Sequence, residues 1–195
     1  MEYAVLGLGS NKSFEGRSPL ELLALACSKI MSCLSCNVVV SSVYKTGAMY
    51  VTNQDDFYNM AVLCFYSKEP HDLLNDIHII ENSLGRNRSV EFRNGPRPLD
   101  IDIELFGTRV VNDSDLIIPH QKLHERSFVL TPLVEVLKKY ADDIKSSRTS
   151  KEEEKLLTKD NAKCLLEKYE QMLSEIQNQK IEKYIDSSEF IKMMQ

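Results

Sequence analysis

An α+β sandwich, with helices on one face of a mainly antiparallel sheet and a helical appendage at the C-terminus, is the fold this sequence predicts. Three observations carry the prediction. Over the first two thirds of the chain, segments of strand and helix character run strand, helix, strand, strand, helix, strand. With 195 residues, 43% of them hydrophobic and 27% charged, the chain can bury one core of ordinary size plus an appendage. After about residue 140 it turns charged and poor in large apolar side chains, and helical stripes then return. One domain is therefore expected over 1–141, and a charged linker with a helical extension over 142–195.

Residues 3–8 are a short apolar run ended by Gly9, Ser10 and Asn11, which reads as a strand entering a turn. Ser18, Pro19 and Glu21 supply an N-cap, a first-turn proline and the acid of a capping box. Leu20, Leu23, Cys27, Ile30 and Leu34 follow at helical spacing. Residues 37–45, rich in valine and serine, read as a second strand, 47–56 as a polar loop, and 57–66 as a strongly apolar third strand. Pro70 opens a second helix whose Leu73, Leu74, Ile77, Ile80 and Leu84 share a stripe that Gly85 is placed to end. Residues 86–98 lose all periodicity. Residues 99–106 read as a fourth strand, which Gly107 and Thr108 turn toward a hairpin partner at 109–111. A third helix is expected over 127–138 despite Pro132, and Leu165, Leu166, Tyr169, Met172, Leu173 and Ile176 mark a loosely packed or partner-binding helix in the extension. This order of elements is that of a ferredoxin-like sandwich.

Composition excludes several classes of function. A net charge of −5 argues against broad nucleic-acid binding, which needs a basic face. No run approaches the roughly 18 apolar residues of a membrane span, and the N-terminus lacks a secretory pattern. Five cysteines, an odd number, suggest reduced thiols in a cytoplasm. A monomer or weak homodimer is expected. Any anionic ligand must be gripped by a local cluster that opposes the global charge.

Such a cluster exists. In Gly95-Pro96-Arg97-Pro98-Leu99-Asp100-Ile101-Asp102, strand alternation points Asp100 and Asp102 the same way and Leu99, Ile101 and Ile103 the other. Two neighbouring carboxylates need a cationic partner. An arginine could serve, and so could Mg²⁺, which takes a couple of carboxylates plus waters and substrate phosphates. Arg86, Arg88, Arg93 and Arg97 crowd the segment just ahead, and guanidinium groups contact phosphate in a bidentate way. Either a closing lid over a nucleotide or a solubilising loop fits that pattern. Phe57 and Asn59 share a strand face and could stack on and read a flat heterocycle, or simply belong to the core. Phe128 follows Arg126 at a helix start. His120 and His124 lack the acid of a zinc-protease motif, so His120 is better suited to reach a phosphate. Cys33 and Cys36 have no second pair with which to build a zinc site. No phosphate-cradling glycine loop is present, and Gly7-x-Gly9 is too short for a dinucleotide fingerprint.

The run from Gly95 to Gly107 closely resembles the signature of the 6-hydroxymethyl-7,8-dihydropterin pyrophosphokinases of folate synthesis. So do Leu8-Gly9-Ser10-Asn11, Tyr44-Lys45-Thr46, Phe57-Tyr58-Asn59-Met60-Ala61, Leu84-Gly85-Arg86, Ile118-Pro119-His120 and Arg126-Ser127-Phe128. The resemblance implies a ferredoxin-like enzyme that moves pyrophosphate from ATP to the pterin hydroxymethyl group with two Mg²⁺ ions, releasing AMP. It implies Asp100 and Asp102 as metal ligands, and Arg86 and Arg97 as phosphate-engaging catalytic residues. It also implies a pterin subsite of Thr46, Gly47, Phe57, Asn59 and Phe128. The nucleotide side would hold His78, Arg86, Arg97, Ile103, His120, Gln121 and Arg126. Asn94 stands where many relatives carry an aromatic residue, and the 86–97 loop is one residue longer than in some members. Rival readings are a two-metal nucleotidyltransferase or cyclase, and a ligand-binding module without catalysis.

Overall fold

Side-chain alternation along β1 (Glu2–Ser10) organises the molecule, because this strand is buried on both faces. The computed structural model describes residues 1–34, 37–49, 51, 53–92, 95–146, 151, 156–177 and 179–194. β1 pairs antiparallel with β4 (Phe57–Tyr66) on one side and β5 (Asp100–Phe106) on the other. β2 (Val38–Val40) and β3 (Val43–Thr46) both pair antiparallel with the far edge of β4.

Ala4, Leu6 and Leu8 point into a core with Leu22, Leu23, Cys27 and Ile30 of α1 (Pro19–Cys33) and Leu73, Ile77 and Ile80 of α2 (Pro70–Ser83). These two helices form the expected sandwich. The capping box at Ser18 and Glu21 is in place. Gly85 ends α2 with φ 91°, where a side chain would also collide with the Phe14 ring.

The expectation of helices on one face is corrected by α3 (Ser127–Lys145). Tyr3 and Val5 of β1 and Leu63 and Phe65 of β4 point the other way, into a second core with Leu130, Leu133, Val136, Leu137 and Tyr140 of α3. A strand with apolar side chains on both faces must bury both, so a second helical layer is required.

The valine-serine strand is split. Ser41 Oγ accepts the Ala61 N–H, while the Ser42 N–H and hydroxyl both donate to Glu135 of α3, at 3.0 and 2.9 Å. Tyr44 and Lys139 also donate to that carboxylate. Burial raises the Glu135 pKa, but these hydrogen bonds and the Lys139 charge outweigh it and leave it below the ordinary value of 4.5. The ionised form therefore stabilises the fold above that value, and this contribution is lost as the pH falls through the lowered pKa. Glu135→Gln is expected to cost about 1–2 kcal/mol at neutral pH. Thermal melts across the acid range should show the gap from wild type closing as the pH drops.

Two further expectations are corrected. Residues 109–111 do not pair with β5. Arg109 instead reaches Glu2 and Glu69, and the hairpin forms between β6 (Val111–Asn112) and β7 (Ile117–Ile118). Nor does the extension pack loosely. Its α4 (Lys159–Glu175) lies on α3, with Ala162 and Tyr169 in the second core. β8 (Glu182–Ile185), a strand the sequence reading did not name, pairs with β3, and α5 (Ser187–Met193) seats Phe190 in the first core. No helix among the described residues is long and apolar enough to cross a membrane. Cys33 is an exposed free thiol, and Cys36 lies outside the described residues.

Candidate active site

On the α3 face, beside the C-terminal half of β1, lies a cavity of about 360 Å³. Gly7 and Gly9 form its floor, directly opposite Asp102 and Asp100 in register. The glycines matter through what they lack, since a Cβ on Gly7 would come 2.7 Å from Glu104 Oε1. Alternation from Asp102 brings Glu104 to the cavity, and a bulge opposite Val5 and Leu6 turns Leu105 to the same face, where it continues the second core. Three acids of β5 thus line one wall: Asp100, Asp102 and Glu104.

Their electrostatics differ. Asp100 is compensated, with Arg86 Nη1 3.0 Å from one oxygen and Arg97 Nη1 on the other. Arg86 also grips Glu91 at 2.7 Å and donates to the Leu99 carbonyl, so it ties the loop to the strand. Asp102 has no such match. Burial, and then the Asp100 charge, push its pKa up to about 7 against the pull of Arg126 and Arg97. Burial and Asp102 push Glu104 well above the usual range, and its Oε2 has no hydrogen-bond partner among the described residues. Such a wall favours cations. Among the described residues no three ligating side chains form a closed metal cage, but Mg²⁺ does not require one, because it draws its remaining ligands from water and phosphate. Asp100 and Asp102 fit that ion.

Facing the acids are Phe57, Asn59, Thr46, Gly47 and Phe128. Asn59 Nδ2 donates to Thr46 Oγ1 at 2.8 Å, which fixes the orientation of the amide. Arg97 lies 5.8 Å from the centre of the Phe57 ring and Arg126 lies 5.6 Å from that of Phe128, so each aromatic wall leads into a cationic one. His120 and Gln121 also line the cavity, as does Arg88. The backbone N–H of His120 donates to the backbone carbonyl of Glu104, while burial and the Arg126 charge lower the pKa of the imidazole and favour the neutral ring.

Two named residues fall outside the cavity. For Ile103, the alternation that aims Asp102 into the cavity aims its side chain into the core under α1 and α2. His78 sits half-buried on α2, its pKa lowered by burial and by Arg88 and Arg86, and it does not line the cavity. Arg93 and Asn94 lie outside the described residues.

Other residues hold the site together in ways the sequence did not assign to them. The Asn11 amide side chain accepts the Arg97 N–H at 2.9 Å and donates to Gln54 and the Asp55 carbonyl, pinning both flanking loops to the end of β1. Ser10 donates to the Pro98 carbonyl. Glu81, fully buried on α2, accepts the Ile101 N–H at 2.9 Å and the Arg88 guanidinium at 2.6 Å. One signal for it was available: Glu81 interrupts the apolar stripe between Ile77 and Leu84.

The profile of the 7,8-dihydro-6-hydroxymethylpterin-pyrophosphokinases matches residues 5–138, more than half of the chain and every cavity-lining residue named above. The chain belongs to this family. A 2-amino-4-hydroxy-6-hydroxymethyldihydropteridine pyrophosphokinase of Methylorubrum extorquens is 39% identical over 137 residues, covering 70% of this chain and 83% of that one. The protein of the same name from Bacillus subtilis is 41% identical over 113 residues, or 58% of this chain and 66% of that one. Several curated relatives are far longer, and the match spans 27% of a folate synthesis bifunctional protein of Arabidopsis thaliana. In fold, the chain is similar to Plasmodium falciparum HPPK-DHPS solved with pteroate, with a TM-score of 0.55 at 16% identity, over 89% of this chain and 43% of that one. That likeness extends past the family match into the C-terminal extension.

Proposed function

We propose that this chain transfers the terminal diphosphate of ATP to the hydroxymethyl group of 6-hydroxymethyl-7,8-dihydropterin, giving AMP and the pterin diphosphate for folate synthesis. One observation carries the reading: a carboxylate pair, flanking arginines and a two-sided aromatic wall meet in a single cavity with a bare glycine floor. Phe57 and Phe128 would hold the flat pterin between them, with Asn59 and the chain at Thr46 and Gly47 reading its polar edge. The hydroxyl would then lie toward Asp100 and Asp102. Those two carboxylates would hold magnesium ions, which when bound neutralise phosphate oxygens and make the substrate hydroxyl more acidic. Attack on the β-phosphorus runs in line with departing AMP. Arg86 and Arg97 stabilise the charge that develops on the phosphates, and Arg126 and the neutral His120 hold the triphosphate in line. The free thiols Cys27, Cys33, Cys64 and Cys164 suit a reducing cytoplasm.

The deciding assay supplies ATP, Mg²⁺ and the hydroxymethyl dihydropterin and follows the nucleotide product. AMP and pterin diphosphate should appear in equal amounts. Release of free pyrophosphate would indicate nucleotidyl transfer instead, and no turnover would overturn the reading.

A further inference from the structure

The extension lies beyond the family match, which ends at residue 138, yet it closes back onto both walls of the aromatic subsite. Gln179, between α4 and β8, reaches the start of α3. Its Oε1 accepts from the Ser127 backbone N–H at 2.8 Å and from the Ser127 hydroxyl at 3.0 Å, and its Nε2 donates to the Glu125 carbonyl at 2.7 Å. The first N–H groups of a helix have no partner within it. At α3 the N-cap residue is Arg126, whose side chain makes no capping bond. Gln179 supplies from outside an acceptor for one of them, the N–H of Ser127, the first residue of the helix.

The residue it grips stands between two that line the cavity, Arg126 and Phe128. A few residues on, β8 pairs with β3, with Lys45 opposite Glu182, and the Tyr184 ring packs edge-on against Tyr58 at 5.0 Å. This fixes the strand that ends at Thr46, on the other side of the same subsite. One short segment therefore braces both aromatic walls.

We propose that Gln179 is a positioning residue for the reaction proposed above: it holds the first turn of α3 so that Phe128 and Arg126 face the cavity. The inference rests on that reaction, and Gln179 itself does not line the cavity. Losing one hydrogen-bonded brace should raise the KM for the hydroxymethyl dihydropterin about three- to tenfold in Gln179→Ala. kcat should change less than about twofold, because the brace acts on binding geometry rather than on the reacting atoms. Gln179→Glu keeps the acceptor for Ser127 but loses the donor to Glu125, so it should recover part of the lost affinity. Steady-state kinetics of the three full-length proteins, with thermal melts alongside, test this. The inference is overturned if Gln179→Ala keeps the wild-type KM for both substrates, even with a lowered melting temperature, since Gln179 would then be only a helix cap. Equal KM values for the Ala and Glu variants would overturn it as well. The wild type is the control for the reaction: if it fails to turn over, the proposed function has failed, and calorimetric titration of the dihydropterin into wild type and Gln179→Ala then decides the positioning role alone.

Discussion

Asp102→Ala is expected to lower kcat/KM about a thousandfold or more while leaving the protein at least as stable as wild type. The two effects have one cause. Asp102 is enclosed beside Asp100, and its pKa is pushed up to about 7 first by burial and then by that neighbour. An acid whose folded pKa lies above its unfolded value binds its proton more tightly in the fold. Its ionisation therefore weakens the fold as the pH rises from the ordinary value of 3.8 through about 7. Removing the carboxylate relieves that cost, most visibly in melts on the alkaline side. It also removes one of the two anchors for the cations that balance the triphosphate. A merely solvated acid on a strand face would give neither effect, so a variant with near-native turnover would show that the acid pair holds no metal.

The second large effect is expected at Glu81, which lines no part of the cavity. Its buried carboxylate takes the N–H of Ile101, the residue between the two aspartates, and pairs with Arg88. Glu81→Ala would leave that N–H unsatisfied in the core and free the guanidinium. Together these changes should cost about 3 kcal/mol of stability. Turnover should also fall about tenfold, because β5 loses the contact that sets where its acids begin. Glu81→Gln keeps an acceptor for Ile101 and should lose well under half as much stability. Denaturant unfolding and kcat/KM of the two variants check this, and equal losses in both would refute the role given to the Ile101 bond.

Much of this site is legible in the chain because strand alternation is a local property. Once residues 100–106 are extended, Asp100 and Asp102 must share a face, whatever the rest of the molecule does. The same locality places the start of α1 and both ends of α2, where a capping box, first-turn prolines and a left-handed glycine act within a few residues. It fails where one residue is inserted. Alternation continued from Asp102 sends Glu104 to the cavity but cannot foresee that the bulge turns Leu105 to the same face of the sheet, into the second core.

The sequence by itself determined the ferredoxin-like order of strands and helices, the acid pair and the aromatic residues, since dihedral preference and burial period are written over short stretches. Only the tertiary structure decided which edges meet. β8 carries no apolar alternation, and it becomes a strand because β3 offers an unpaired edge that its backbone can satisfy. α3 crosses to the second face because β1 and β4 are apolar on both. Glu81 and Gln179 find their partners 20 and 52 residues away in the chain. Bonds of that span form where folding leaves a buried or terminal N–H without a partner; a break in an apolar stripe marks Glu81 as unusual, but no local pattern says which N–H either residue will meet.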